Sequence, residues 1–195
     1  MVEIAQSPVW VGADPGGAGA IVVEGGDITT MCVSCADEAV DLVTVRPSGV
    51  GVDAPLWWSS GPSAGREADR WIRNTYRKKI RSGTVQTPNS LRGAALVQAA
   101  MFVQRRLREK YPKVPVTKAH PKAVAIALGG RNSPAVLALQ SQAVADEHHR
   151  DAYLAAAAAR EGFSGRWKRD LSLNRSQSEQ DPKSFWLAPI YYFWR

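Results

Sequence analysis

The hydrophobic pattern of the first fifty residues switches between a strand-like and a helix-like period. Val9-Trp10-Val11-Gly12-Ala13-Asp14 is a short apolar run that ends in an acid, and Ala18-Gly19-Ala20-Ile21-Val22-Val23-Glu24 is a second run. Pro15-Gly16-Gly17 between them supplies turn residues, so the pair predicts a β-hairpin. Gly25-Gly26-Asp27 turns the chain into a third strand over 28–33. Residues 36–45 then take helical spacing, with Ala39, Val40 and Val43 on one face, and Arg46-Pro47-Ser48 breaks it. Gly49-Val50-Gly51-Val52-Asp53 reads as a buried strand that again ends in an acid.

Beyond it the pattern changes. Trp57-Trp58-Ser59-Ser60-Gly61-Pro62-Ser63 is loop-like, and a basic helix is predicted over 66–81. Pro88-Asn89-Ser90 is a helix-start signal, followed by a helix with Leu96, Ala100, Val103 and Leu107 on one face that ends before Pro112. Val114-Pro115-Val116-Thr117 predicts a fifth strand, with its proline at a strand start or an edge. Pro121 opens a short helix that Gly129-Gly130 closes. A last helix is predicted over 147–161, with Asp146 as its N-cap and Gly162 as its stop. Its five consecutive alanines, Ala155 to Ala159, would let it lie close against a sheet. Residues 164–184 are polar and read as irregular. The tail over 185–194 carries six of the sixteen aromatic residues and must bury itself on its own core or on a partner chain.

The chain has 195 residues, enough for one domain with an insertion. An apolar content of 45% excludes wholesale disorder, and no apolar run reaches the length of about 20 residues that a membrane helix needs. Met1-Val2-Glu3-Ile4 lacks the basic start of a signal peptide, so a cytoplasmic location is expected. Twenty-five Lys and Arg against 18 Asp and Glu give a net charge of +7. Seven Lys/Arg against two acids fall within 66–81, the distribution of a phosphate-tracking surface, although a solvated helix face has the same look. Cys32 and Cys35 form a C-x-x-C pair without a second pair to complete a four-cysteine zinc site. Because the pair closes a strand, it reads as packing.

Candidate chemistry gathers at element ends. Asp14 ends the first strand and Asp53 the fourth, and a crossover helix between these strands allows them to pair in parallel. Neighbouring strands lie about 4.8 Å apart, so their terminal carboxylates can share a cation. His148 and Asp151 are three residues apart on one face of the last helix and can converge on the same point. Crowded carboxylates repel one another, and their hard oxygens select Mg²⁺ or Mn²⁺. A pair of such ions activates water against a phosphodiester. Taken singly, Asp14 is also turn chemistry, Asp53 a strand end, and His148 and Asp151 a wet helix face.

The order of elements, with Val11-Gly12-Ala13-Asp14, Val50-Gly51-Val52-Asp53-Ala54-Pro55 and His148-x-x-Asp151-Ala152, resembles the RNase H-like fold. Within that fold it is most similar to a predicted nuclease family of unknown function that is described by analogy with the RuvC resolvases. Gly65-Arg66-Glu67-Ala68-Asp69 and His120-Pro121 also match segments that recur in that family. Members often carry an acid just before the His-Pro pair, where this chain has Lys118, which implies a smaller or rearranged site. The resemblance covers residues 9–162. It implies an α/β domain over 1–162 with a mixed five-stranded sheet, three antiparallel strands and then parallel ones, flanked by helices. A basic helical insertion at 57–110 and a polar linker with an aromatic tail at 163–195 complete the organisation.

The function implied is a nuclease that hydrolyses DNA or RNA by a two-metal-ion mechanism. Asp14, Asp53, Asp151 and His148 would be its catalytic and metal-binding residues. Glu147 is a candidate outer carboxylate. Arg66, Arg70, Arg73, Arg77, Lys78 and Lys79 would follow the phosphate backbone, and Trp57 and Trp58 would stack on bases. A non-catalytic nucleic-acid or protein-interaction module, which Lys118 favours, is one competing expectation. Another is an actin-like ATPase or phosphotransferase, whose two-domain clamp a homodimer would have to supply.

Overall fold

The computed structural model describes residues 7–15, 20–24, 28–60, 66–80, 90–130, 136, 146–187 and 189–195, of which 20–24, 90–94 and 105–106 are described by backbone alone. The expected turns at 16–17 and 25–27, the loop at 61–65 with Gly65, and the helix-start signal at 88–89 lie outside these residues.

The protein is a mixed α/β structure. Strand β1 (Trp10–Asp14) is buried along its whole length and sits inside the sheet. It pairs antiparallel with β2 (Ala20–Glu24), which pairs antiparallel with β3 (Ile28–Cys32). Helix α1 (Ala36–Asp41) crosses over to β4 (Gly49–Val52), which lies parallel to β1 in the register Gly12↔Gly51. Strand β6 (Val116–Lys118) pairs parallel with β4 on the far side, giving the order β3-β2-β1-β4-β6, with β1, β4 and β6 parallel. Helix α1 is shorter than its periodicity predicts and ends at Asp41. Ala39, Val40 and Val43 nonetheless form the buried face that the spacing requires.

Helix α6 (Glu147–Phe163) lies across the sheet. Its run of small residues from Ala155 to Ala159 is fully covered, and two strand glycines explain how closely it packs. A Cβ built on Gly12 would run into the carbonyl oxygen of Ala152 and come within 2.5 Å of the Ala156 nitrogen. One built on Gly51 would meet the carbonyl of Ala155. Alanine on the helix and glycine on the strands together bring the helix backbone against the sheet. Asp146 caps the helix as expected, its Oδ1 accepting the His149 N–H at 3.0 Å.

In the inserted region, α2 (Glu67–Tyr76) is followed by α3 (Ser90–Ala100), which continues as a π-wound segment (Met101–Leu107) and a last turn, α4 (Arg108–Lys110). The π winding shifts the buried face from the expected 96/100/103/107 series to Ala99, Phe102, Val103 and Leu107. Helix α5 (Pro121–Ala127) begins at its proline and ends on Gly129 and Gly130, both at positive φ.

The aromatic tail buries itself on the protein's own core. Tyr191 pairs with the outer edge of β6, its N–H donating to Val116 O at 2.9 Å and its carbonyl accepting from Lys118 N at 2.8 Å. The tail thereby covers the β6 edge, which would otherwise present unpaired backbone groups. Tyr192 and Trp194 are buried beyond it. The region expected to be irregular holds two short 3₁₀ turns, Leu171–Leu173 and Gln177–Glu179, and a two-residue strand β7 (Arg169–Asp170) that pairs with β9 (Phe193–Trp194).

Trp57 and Trp58 form β5 against β8 (Phe185–Trp186) rather than a loop. Trp57 is 1% exposed, and its Nε1–H donates to Glu179 Oε1 at 2.8 Å. A buried Trp57 cannot stack on a nucleobase, which corrects that expectation; Trp58 alone is exposed. The cysteine expectation is also corrected, because Cys32 and Cys35 are free thiols exposed at the surface rather than packed inside.

Candidate carboxylate site

Parallel pairing of β1 with β4 places two strand ends side by side, and the Asp53 N–H donates to Ala13 O at 2.8 Å to fix their alignment. Asp151, in the second turn of α6, comes down onto the same point because the helix backbone lies so close to the glycines of β1 and β4. Asp14, Asp53 and Asp151 each offer a carboxylate oxygen, and the three oxygens lie within 4.8 Å of one another. His148 joins them: its Nδ1 is 2.7 Å from Asp14 Oδ2. The structure thus brings together all four side chains that the sequence singles out.

The electrostatics follow from burial. Asp151 is pushed up to about 6, first by desolvation and then by the negative charges of Asp14 and Glu147, against the opposing pull of Arg150 and Lys122. Its Oδ1 is buried and accepts no hydrogen bond from the described residues, with Arg150 Nε at 3.5 Å as a nearby positive charge. His148 is shifted up from its ordinary value, chiefly by its bond to the Asp14 carboxylate. The donor set therefore fits a hard divalent cation. Three carboxylate oxygens are gathered at ligand spacing, and one, Asp151 Oδ1, is buried with no hydrogen-bond donor among the described residues. Glu147 points outward, paired with Arg150 at 3.2 Å and Lys122 at 3.5 Å, so it acts on the site by charge rather than by contact.

A cleft of about 230 Å³ opens beside Asp14, between the start of α1 and the π-wound segment; Ala36, Ala39, Met101 and Phe102 form its apolar wall and Cys35 and Gln98 its polar rim. No local pattern in the chain announces this cleft, because its two walls are distant in sequence and meet only in the fold.

The expected phosphate-tracking residues divide. Arg73, Arg77, Lys78 and Lys79 are exposed on and just beyond α2, and Arg70 is exposed but paired with Glu67 at 2.9 Å. Arg66 is a correction: it is 2% exposed, ion-paired with Asp69 at 2.6 Å and stacked over the Trp57 ring at 4.7 Å. The Arg66–Asp69 spacing that resembled a family motif is thus a buried strut. Lys118 is also buried, its Nζ donating to Ala119 O at 3.0 Å and lying 4.8 Å from the Tyr192 ring centroid.

No protein-family model, curated protein or solved structure matches the chain. Among the described residues no helix is long and apolar enough to cross a membrane.

Proposed function

We propose that the chain is a metal-dependent nuclease with an RNase H-like fold that hydrolyses phosphodiester bonds of DNA or RNA. The observation that carries this reading is the convergence of Asp14, Asp53 and Asp151 from β1, β4 and α6 to within 4.8 Å. The antiparallel β3-β2-β1 ribbon that continues into parallel β4 and β6 supports the fold assignment.

Bound to these carboxylates, Mg²⁺ or Mn²⁺ ions supply Lewis-acid chemistry, activating water and offsetting charge on the phosphoryl group. Asp14, Asp53 and Asp151 hold the ions. His148 keeps Asp14 oriented through Nδ1–H, and that bond raises the proton affinity of the ring, whose other nitrogen, Nε2, is the atom that takes up or releases a proton. Arg73, Arg77, Lys78 and Lys79 hold the nucleic-acid backbone, and the exposed face of Trp58 is available to an unpaired base.

A second reading, a nucleic-acid or protein-interaction module without catalysis, is favoured by Lys118, a buried ammonium where members of the resembled family often place an acid. One set of assays separates the two. Labelled single- and double-stranded DNA and RNA are incubated with the protein and Mn²⁺ or Mg²⁺, alongside Asp14→Asn and Asp53→Asn. The nuclease reading expects metal-dependent cleavage that both variants lose while staying folded. Salt-sensitive binding with no cleavage of any substrate supports the interaction module. ATP turnover without phosphodiester cleavage points to a phosphotransferase.

A further inference from the structure

A second cluster of ligating side chains stands apart from the three carboxylates and is unused in the reaction proposed above. Cys32, at the end of β3, brings Sγ to 3.7 Å from His149 Nε2 across 117 residues of chain. Asp146 Oδ1 is 2.9 Å from the other ring nitrogen, Nδ1. One sulfur, one imidazole nitrogen and one carboxylate oxygen from these residues all lie within 4.8 Å of one another.

We propose that Cys32 Sγ and His149 Nε2 form a separate, zinc-type metal site, with Asp146 holding the other ring nitrogen, that ties the end of β3 to the first turn of α6. Three features of the cluster support this. The donor pair is a thiolate sulfur and an imidazole nitrogen, which suits a borderline-soft ion such as Zn²⁺ and not the hard Mg²⁺ that the carboxylate trio selects. The spacing matches as well: with Zn–S about 2.3 Å and Zn–N about 2.0 Å, a tetrahedral angle sets these two donors roughly 3.5 Å apart, close to the separation seen. Finally, the donors are already held in place. His149 is buried, Asp146 is fixed as the helix cap, and Cys32 is exposed, so the cluster is open to solvent on the thiol side. Two protein donors leave two tetrahedral positions for water, and the Asp146 carboxylate on Nδ1 fixes the ring so that Nε2 faces the thiol. Cys35 is not part of the set; it lines the cleft beside Asp14.

The two sites share one end of the sheet. Asp14 pairs with Ala20 and Ala20 with Cys32, so the two sites are two strand spacings apart, roughly 10 Å. Consecutive residues of α6 serve them: His148 reaches Asp14 and His149 reaches Cys32. A zinc ion at the second site would hold the first turn of α6 over the sheet and keep His148 at Asp14, a positioning role.

Titration of the reduced, metal-free full chain with Co²⁺ and then Zn²⁺ tests this, read by the thiolate-to-cobalt charge-transfer band, metal stoichiometry and thermal midpoint. One equivalent of Co²⁺ should give the thiolate band, Zn²⁺ should displace it, and the midpoint should rise on zinc binding. Cys32→Ser should abolish the band, whereas Cys35→Ser and Asp53→Asn should keep it. Asp146→Asn, which still caps a helix, should weaken binding at least tenfold. A band that survives Cys32→Ser, one that is lost with Cys35→Ser, or metal uptake with no thiolate band would overturn the site. Unchanged affinity in Asp146→Asn would remove Asp146 from it. Because Asp53→Asn disables only the carboxylate trio, failure of the nuclease reading leaves this result unaffected.

Discussion

Replacing Gly12 by alanine tests the feature on which the candidate site depends, the contact of α6 with β1. The added Cβ would collide with the carbonyl oxygen of Ala152 and lie 2.5 Å from the Ala156 nitrogen. Ordinary contacts of this kind are about 3.5 Å, so helix and strand must separate by more than about 1 Å, the carbonyl oxygen requiring the larger shift. Every atom met belongs to helix backbone, so no side chain can rotate away. Overpacking in a close-packed core costs about 1–3 kcal/mol, and the absence of any relief places this variant near 3 kcal/mol. For a chain of 195 residues that lowers the thermal midpoint by roughly 6–12 °C. Circular dichroism melts would read it. Gly130→Ala provides the control: φ there is +82° with nothing within 4 Å, so only backbone strain of about 1 kcal/mol applies. Because Ala152 follows Asp151, calorimetry should also find Mn²⁺ binding weakened in Gly12→Ala and unchanged in Gly130→Ala. A Gly12→Ala protein that melts within about 2 °C of wild type would refute the close packing of the helix on the strand.

The remaining predictions concern charge and the buried network. With chelator present, stability should fall as pH rises from about 5 to about 8. Asp151 binds its proton more tightly when folded, so its burial cost is absent below its unfolded value near 3.8 and grows until pH passes about 6. His148 is also raised, so its stabilising pair with Asp14 is complete below 6.5 and is lost as pH climbs through the higher folded value. Excess Mn²⁺ should reverse the trend, because ions compete with those protons; melts at the two ends of that range that respond equally to Mn²⁺ would count against the site. Glu179→Ala should cost about 2–4 kcal/mol in denaturant unfolding, since it strips partners from the Trp57 Nε1–H and the Glu67 N–H at once. Changing Arg77, Lys78 and Lys79 together to alanine should leave the fold intact and reduce the slope of log binding constant against log salt by up to about 2 units on single-stranded DNA, measured by fluorescence anisotropy. An unchanged slope would place the nucleic-acid path elsewhere.

How much of this was legible in the sequence depended on the range of the interaction. Asp14 and Asp53 could be placed because each closes an apolar run, and the crossover helix allows those runs to pair in parallel. The alanine run of α6 announced a close approach to the sheet, and Gly12 and Gly51 turned out to be its counterpart. The basic segment was readable only as a count of charges. Composition does not distinguish an exposed arginine from a buried one, so Arg66, held between Asp69 and Trp57, looked the same as its exposed neighbours Arg73 and Arg77. Trp57 misled for a related reason, because its strand partner is Trp186, far along the chain. The cysteines read as packing because only the fold brings His149 to Cys32.

One helix turn then accounts for both candidate metal sites. Asp146 caps α6, and that cap fixes where His148 and His149 project. Successive helical residues point about 100° apart, so two adjacent histidines cannot serve one centre from the same face. Here they diverge over the sheet end, one to Asp14 on β1 and the other to Cys32 on β3, and β2 lies between as a spacer. Hard oxygens collect where parallel strands end together, and the thiol stands where the antiparallel ribbon ends. The separation of donor types follows from strand order, and it predicts that one equivalent of Zn²⁺ binds at the thiol while excess Mn²⁺ stays bound at the carboxylates.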